Sequence, residues 1–269
     1  MSASERLDVA LARRGLARSR SEAAGLVAAG EVTVNGSVAG KPSQRCVPGD
    51  VIALASPGPR YASRAGHKLA GALEVFAGVE PAGRRCLDAG ASTGGFTDVL
   101  LRAGAARVVA VDVGHGQLVE ELRRDRRVDV HEGLNVRDLA PEEIGGLVDV
   151  VVSDLSFISL RLVMAPLAGA CRPGADLVLM VKPQFEVGRR ALPRTGVVVD
   201  PGARRDAVLG VVDAALDAGL LPWGLARSPL PGQDGNAEFF LWLRRPETET
   251  SSPAVSGEEW LTGQDVSWS

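Results

Sequence analysis

The chain has 269 residues, 45% hydrophobic and 23% charged, which is enough apolar surface for a small module beside a medium one and excludes a wholly disordered protein. No apolar run approaches the ~20 residues of a membrane helix, and the N-terminus (MSASERLDVALARRG) lacks the apolar segment of a secretory signal. Three scattered cysteines (Cys46, Cys86, Cys171) and three scattered histidines support neither a disulfide framework nor a zinc site, so a cytoplasmic chain without a metal or a membrane partner is expected.

The formal net charge of −3 is unevenly spread: +3 over residues 1–60, −1 over 61–246 and −5 over 247–269. The basic beginning points toward a nucleic-acid partner that the whole-chain balance hides. Residues 5–58 predict a helix–helix–hairpin unit. Leu7, Ala10 and Leu11 mark one helix face ending near Gly15. Ser19, with Glu22 three residues later, caps a second helix that Gly30 closes. A strand with Val32 and Val34, an Asn35-Gly36 turn and a strand over 51–54 follow. Arg13, Arg14, Arg18 and Arg20 crowd the helix junction, either clamping phosphates or forming a solvated basic face. Arg6 and Lys41, with Arg60 and Arg64 beside the linker, extend the same candidate RNA-binding surface. Arg6-Leu7-Asp8 echoes a motif around the catalytic aspartate of some pseudouridine synthases, but Asp8 opens the first helix and is read as structural.

Residues 1–58 are therefore read as one module and 59–63 as a linker, within the Pro/Gly/Ser-rich SPGPRYAS. Residues 64–246 form a second domain, and 247–269 an acidic tail expected to be disordered. The second domain alternates helices near 64–78, 95–103, 116–124, 159–170 and 202–219 with strands near 85–89, 107–112, 127–131, 148–153, 176–182, 222–227 and 237–244. That order predicts an α/β domain with a doubly wound, mainly parallel sheet.

In such a sheet, ligands sit at the carboxyl ends of the strands. The segment from Cys86 to Phe96 (CLDAGASTGGF) is a strand end, a loop of small residues and a helix start, and Asp112 ends the next strand, where an acid can grip ribose hydroxyls. An acid at Asp88, ahead of the loop, suits a cofactor with a cationic end, S-adenosylmethionine, better than a pyrophosphate. A dinucleotide remains the alternative. Of the 30 basic residues, only Lys41, Lys68 and Lys182 are lysines. Lysine can give up its proton and arginine cannot. Lys182 and Asp154 each follow an apolar strand, Lys68 lies on the helix entering the domain, and Glu238 begins the last strand. Burial beside a second lysine would favour a neutral amine able to take the proton of a sugar hydroxyl; the bland alternative is two structural ion pairs.

The segment RLDVALARRGLARSRSEAAGLVAAGEVTVNG, with the later KPS and GD, resembles the S4-like RNA-binding domain. SRAGHKLAGAL, CLDAGASTGGFTDVLL, VVSDLSFISL, LMVKPQFEVGRR and GQDGNAEFFLWL resemble the TlyA (haemolysin-A-like) family, over residues 5–245 in all. The resemblance implies a small α+β S4-like domain joined to an FtsJ-like domain with the Rossmann-like methyltransferase fold and its seven-stranded sheet. It further implies S-adenosylmethionine as cofactor, ribosomal RNA or ribosomal subunits as partner, and 2′-O-ribose methylation of cytidine in 16S RNA, 23S RNA or both. The family's Lys-Asp-Lys-Glu tetrad falls on Lys68, Asp154, Lys182 and Glu238, and its cofactor contacts on Asp88, Gly90, Ser92, Gly94, Asp112 and Asp154. Arg189-Arg190-Ala191 departs from the family's usual Lys/Gly-rich stretch. The rival readings are a non-catalytic RNA-binding assembly factor and a membrane-active haemolysin.

Overall fold

The computed structural model describes residues 4–17, 19–28, 30–54, 61–188, 190–248 and 256–269. Arg18, Arg60, Arg189, residues 59–60 of the expected linker and residues 249–255 of the expected tail lie outside the described residues.

The N-terminal module contains β1 (Glu5–Arg6), α1 (Leu7–Arg13), α2 (Arg20–Ala28), β2 (Val32–Val34), β3 (Ser37–Val38), β4 (Arg45–Cys46) and β5 (Ile52–Leu54). Leu7, Ala10 and Leu11 bury one face of α1 against Ala23 and Val27 of α2 and Val32 of β2. Ser19 caps α2 by accepting the Glu22 N–H at 3.1 Å. β2 and β3 turn through Asn35 and Gly36, both at positive φ (+52° and +80°), the conformation that Asn-Gly supplies in tight hairpins. β5 pairs with β2, and β1 with β4.

The second part runs α3 (Arg64–Val75), β6 (Arg85–Ala89), α4 (Gly95–Arg102), β7 (Arg107–Asp112), α5 (Glu120–Arg123), β8 (Val128–Glu132), β9 (Val148–Ser153), α6 (Met164–Ala170), β10 (Cys171–Val181), α7 (Pro183–Glu186), α8 (Pro201–Asp217), β11 (Leu221–Arg227) and β12 (Phe239–Arg244). The seven strands lie in the order β11-β12-β10-β9-β6-β7-β8; β10 through β8 are parallel, and β12 runs antiparallel to both neighbours. Apolar layers cover both faces. Leu69 of α3, Phe76 just after it and Leu100 of α4 pack on Val150, Val178 and Phe240. Leu167 from α6 and Val208 and Val211 from α8 pack on Leu177, Leu179 and Leu241. Double coverage explains why these strands read as unbroken apolar runs. The chain builds outward from β6 through β7 and β8, then returns to add β9 and β10 on the other side. The crevice where the order reverses therefore lies between β6 and β9.

Three expectations need correction. The helix expected over 116–124 is only α5, because Gly116 takes positive φ (+65°) and Val119, directly before α5, is extended (ψ 146°). The helix expected over 159–170 splits into a 3-10 turn (Leu160–Leu162) and α6. Pro166 can sit only in a first turn, since its ring would strike the carbonyl four residues back. The tail is not disordered over 256–269. α9 (Gly257–Thr262) is capped by Ser256, whose hydroxyl accepts the Glu259 N–H at 3.2 Å. Leu261 is buried, Trp268 packs 5.0 Å from Phe239 ring to ring, and Arg205 pairs with Glu258 at 2.6 Å. Average acidity hid a short apolar face and an arginine partner for its charge.

Candidate active site

Five chain segments meet at the carboxyl edge of the parallel strands. The loop of residues 90–94 follows β6, Asp112 ends β7, Asp154 follows β9 and Lys182 follows β10. β12 is antiparallel, so its beginning lies at this same edge. The pairing of Val181 with Phe239 sets the following Lys182 beside the preceding Glu238. Lys68, on α3, reaches Glu238 across the edge.

The four tetrad residues line one open cavity of about 1050 Å³. Lys182 Nζ lies 2.6 Å from Asp154 Oδ1, an ion pair without hydrogen-bond alignment, and donates to Ser156 Oγ at 2.9 Å. Lys68 and Glu238 form a buried ion pair in which Glu238 is only 3% exposed. A lysine can therefore be held at a fixed point over a cavity wide enough for a nucleotide, with a carboxylate ready to balance its charge.

The loop beside it is shaped for close approach. Gly90, Ser92 and Gly94 all take positive φ (+92°, +46° and +97°). A Cβ on Gly90 would come within 3.1 Å of the Asp154 carbonyl oxygen, so only glycine fits between the two strand ends. Asp112 accepts the N–H groups of Ser92 (2.8 Å) and Gly114 (2.7 Å), holding the loop open while keeping lone pairs for ribose hydroxyls. Asp88 is fully buried and absent from the cavity wall, whereas the sequence suggested that it faces the cofactor directly. Its Oδ2 accepts from Thr97 Oγ1 at 2.7 Å, its Oδ1 has no partner, and burial pushes its carboxyl up to about 7. Acids at Asp112 and Asp154 around a small-residue loop fit a cationic nucleoside and disfavour a pyrophosphate. S-Adenosylmethionine therefore suits this donor set. Among the described residues, no group of three or more His, Cys, Asp or Glu is placed to hold a metal ion.

The basic residues of the N-terminal module are engaged with its acids. Arg6 and Arg20 each pair with Asp8 at 3.0 Å, and Arg6 first, then Arg20, holds that carboxyl down to about 2. Arg13 pairs with Glu5, and Arg14 donates to the Asp50 carbonyl at 2.9 Å. The side chains of Arg6, Arg13 and Arg20 remain 42%, 59% and 63% exposed. Lys41 lines the same cavity, so the two parts share one wall. Arg64, expected on the linker surface, is instead buried in that cavity.

Sequence reasoning missed Ser156, Phe157, Gln184 and Phe185, all on the cavity wall. Phe157 is 91% exposed at positive φ (+63°), and its ring lies 5.3 Å from that of Phe185. Buried Glu186 accepts from Ser159 Oγ and from the Leu160 N–H (2.7 Å), anchoring the segment that presents Ser156. These residues lie inside the VVSDLSFISL and KPQFEVG segments, but the search for unusual lysines and carboxylates passed over a serine and two phenylalanines.

Residues 61–245 match the FtsJ-like methyltransferase family, and residues 5–52 match the S4 domain. The chain is 54% identical over 240 residues to the 16S/23S rRNA (cytidine-2′-O)-methyltransferase TlyA of Mycobacterium tuberculosis, covering 89% of each chain. It is 37% identical to Hemolysin A of Brachyspira hyodysenteriae, covering 87% of this chain and 97% of that one. A solved hemolysin-like structure from Streptococcus thermophilus superposes with a TM-score of 0.72 at 38% identity, over 97% of this chain and 96% of the other. Among the described residues, no helix is long and apolar enough to cross a membrane.

Proposed function

The chain belongs to the TlyA family of FtsJ-like methyltransferases that carry an S4 domain, and on that premise we propose that it methylates the 2′-hydroxyl of a cytidine in ribosomal RNA. The family uses S-adenosylmethionine. We assign RNA binding to residues 1–58, chemistry to 64–246 and a cytoplasmic site of action, where ribosomal subunits are found.

The observation that carries this reading is the pairing of Lys182 with Asp154, beside Lys68 with Glu238, in one cavity next to the glycine loop. Gly90, Ser92 and Gly94 would hold the cofactor against the backbone. Asp112 would take its ribose, and Asp88, buried behind the loop and bonded to Thr97, would hold the loop in place from beneath. When bound, the cofactor supplies an electrophilic methyl group. After releasing its own proton to solvent, Lys182 takes the proton of the 2′-hydroxyl as it bonds to the methyl group, and Asp154 balances the ammonium so formed. Ser156 fixes the direction of the amine by accepting one of its N–H bonds. The Lys68–Glu238 pair is a rigid polar wall against which the ribose is set, and much of the acceleration comes from holding oxygen and methyl in line. Mapping 2′-O-methyl groups on ribosomal RNA from cells with and without the gene tests the proposal. At least one methylated cytidine should be lost, and identical maps would refute it.

A further inference from the structure

Arg64 opens α3 and is 8% exposed on the wall of the catalytic cavity. Its Nε and Nη2 are buried and have no hydrogen-bond partner, and no carboxylate among the described residues forms an ion pair with it. The carboxylate that acts on it electrostatically, Glu238, is already taken by Lys68. A buried cation without a counter-ion is costly, and evolved structures hold one where a ligand completes it. The two orphan nitrogens form one edge of the guanidinium. Arg6 uses that same edge to grip both oxygens of Asp8, at 3.0 and 3.1 Å. Arg64 thus carries an unpaired guanidinium edge at the cavity wall, matched in shape to an anion with two oxygens.

Its place selects the anion. A Cβ on Gly30 of the N-terminal module would lie 3.6 Å from Arg64 Cγ and 3.1 Å from His67, so Arg64 stands at the seam between the two parts of the chain. Lys41 of that module lines the same cavity. A ribose 2′-hydroxyl directed at Lys182 has a phosphodiester on the adjacent carbon, which must enter the cavity with it. We propose that Arg64 binds the RNA phosphate 3′ to the methylated ribose through Nε and Nη2, setting the nucleotide's register against Lys182. This rests on the methyltransferase reading and adds a specific contact to it.

The test compares the full chain with Arg64→Met and Arg64→Lys on two synthetic ribosomal RNA fragments. One carries the natural phosphodiester 3′ to the target cytidine, the other an uncharged methylphosphonate there. On the phosphodiester, Arg64→Met should lower kcat/KM by about 10- to 100-fold, the range for a charged hydrogen-bonded pair, and Arg64→Lys should recover part of it. On the methylphosphonate, wild type should lose a similar factor and the Met variant should then match it to within about threefold. S-Adenosylmethionine affinity by calorimetry should not change. Removing an unpaired buried charge should leave the melting temperature equal or higher. Equal losses on both RNAs, or a lowered melting temperature, would show a structural role and overturn the proposal. A parallel loss of cofactor affinity would assign the fork to the cofactor's carboxylate instead. If wild type methylates neither fragment, methyl transfer to whole ribosomal subunits decides the methyltransferase reading separately, and equilibrium binding of the two RNAs still decides the contact. Equal wild-type affinity for both would refute the phosphate contact.

Discussion

Replacing Lys182 by arginine separates two roles that one lysine could fill, a fixed positive charge and a base. Lys182 Nζ stands 2.6 Å from Asp154 and 2.9 Å from Ser156 at a site 8% exposed. A guanidinium there can keep both contacts, so the electrostatic field changes little. It cannot become a neutral amine, since arginine stays protonated in proteins. A positioned general base contributes about 10²- to 10⁴-fold, or roughly 3–5 kcal/mol of barrier at about 1.4 kcal/mol per tenfold. Lys182→Arg should therefore lose activity to the same depth as Lys182→Ala, despite retaining the charge that alanine removes. Cofactor binding should be preserved in both variants, because Asp112 and the loop of residues 90–94 are held by separate contacts. Single-turnover methyl transfer to ribosomal subunits, with calorimetry for S-adenosylmethionine, measures both quantities. An arginine variant within about tenfold of wild type would refute the reasoning, since so small a loss is below what removal of a base costs.

Lys68→Met strands the Glu238 carboxylate at 3% exposure, which should cost about 3–5 kcal/mol and lower the melting temperature by roughly 10 °C. Lys68→Met with Glu238→Leu should regain most of that loss, and a single variant melting with wild type would show that the pair is not buried in solution. Asp112→Ala frees the N–H groups of Ser92 and Gly114, so cofactor affinity should fall while RNA affinity holds; unchanged calorimetry would move the ribose contact elsewhere. Burial raises the Asp88 carboxyl from 3.8 to about 7, so the folded state retains a proton that the unfolded chain has lost. Stability should accordingly fall as pH rises from about 4 to about 7 and level off above that. Asp88→Asn should flatten this part of the profile, and thermal melts showing an undiminished slope in the variant would place its origin at another group.

Much of the sheet is legible because its chemistry is local. Val150, Val151 and Val152, like the run from Leu177 to Val181, are apolar at every position, as strands covered on both faces must be. Asn35-Gly36 specifies a hairpin because few residues tolerate two successive positive φ angles. The lysines stand out because the chain otherwise uses arginine, so chemistry that needs a deprotonatable amine leaves a visible mark. Other features depend on distant partners. The tail's acidity concealed its docking, because Arg205 and Phe239 are remote in sequence from Glu258 and Trp268. Arg64 looked like one more surface arginine until α3 carried it into the cavity.

Composition, period and residue type, acting within a few residues, determined the order of strands and helices, the glycine loop that only small residues can make, and which side chains could move a proton. The pairings were decided by tertiary structure alone. Lys68 meets Glu238 across 170 positions because β12 runs antiparallel to β10, bringing its first residue to the edge where the parallel strands end. No local property of either residue specifies that meeting. It follows from strand direction, which the whole sheet settles when it buries both of its faces.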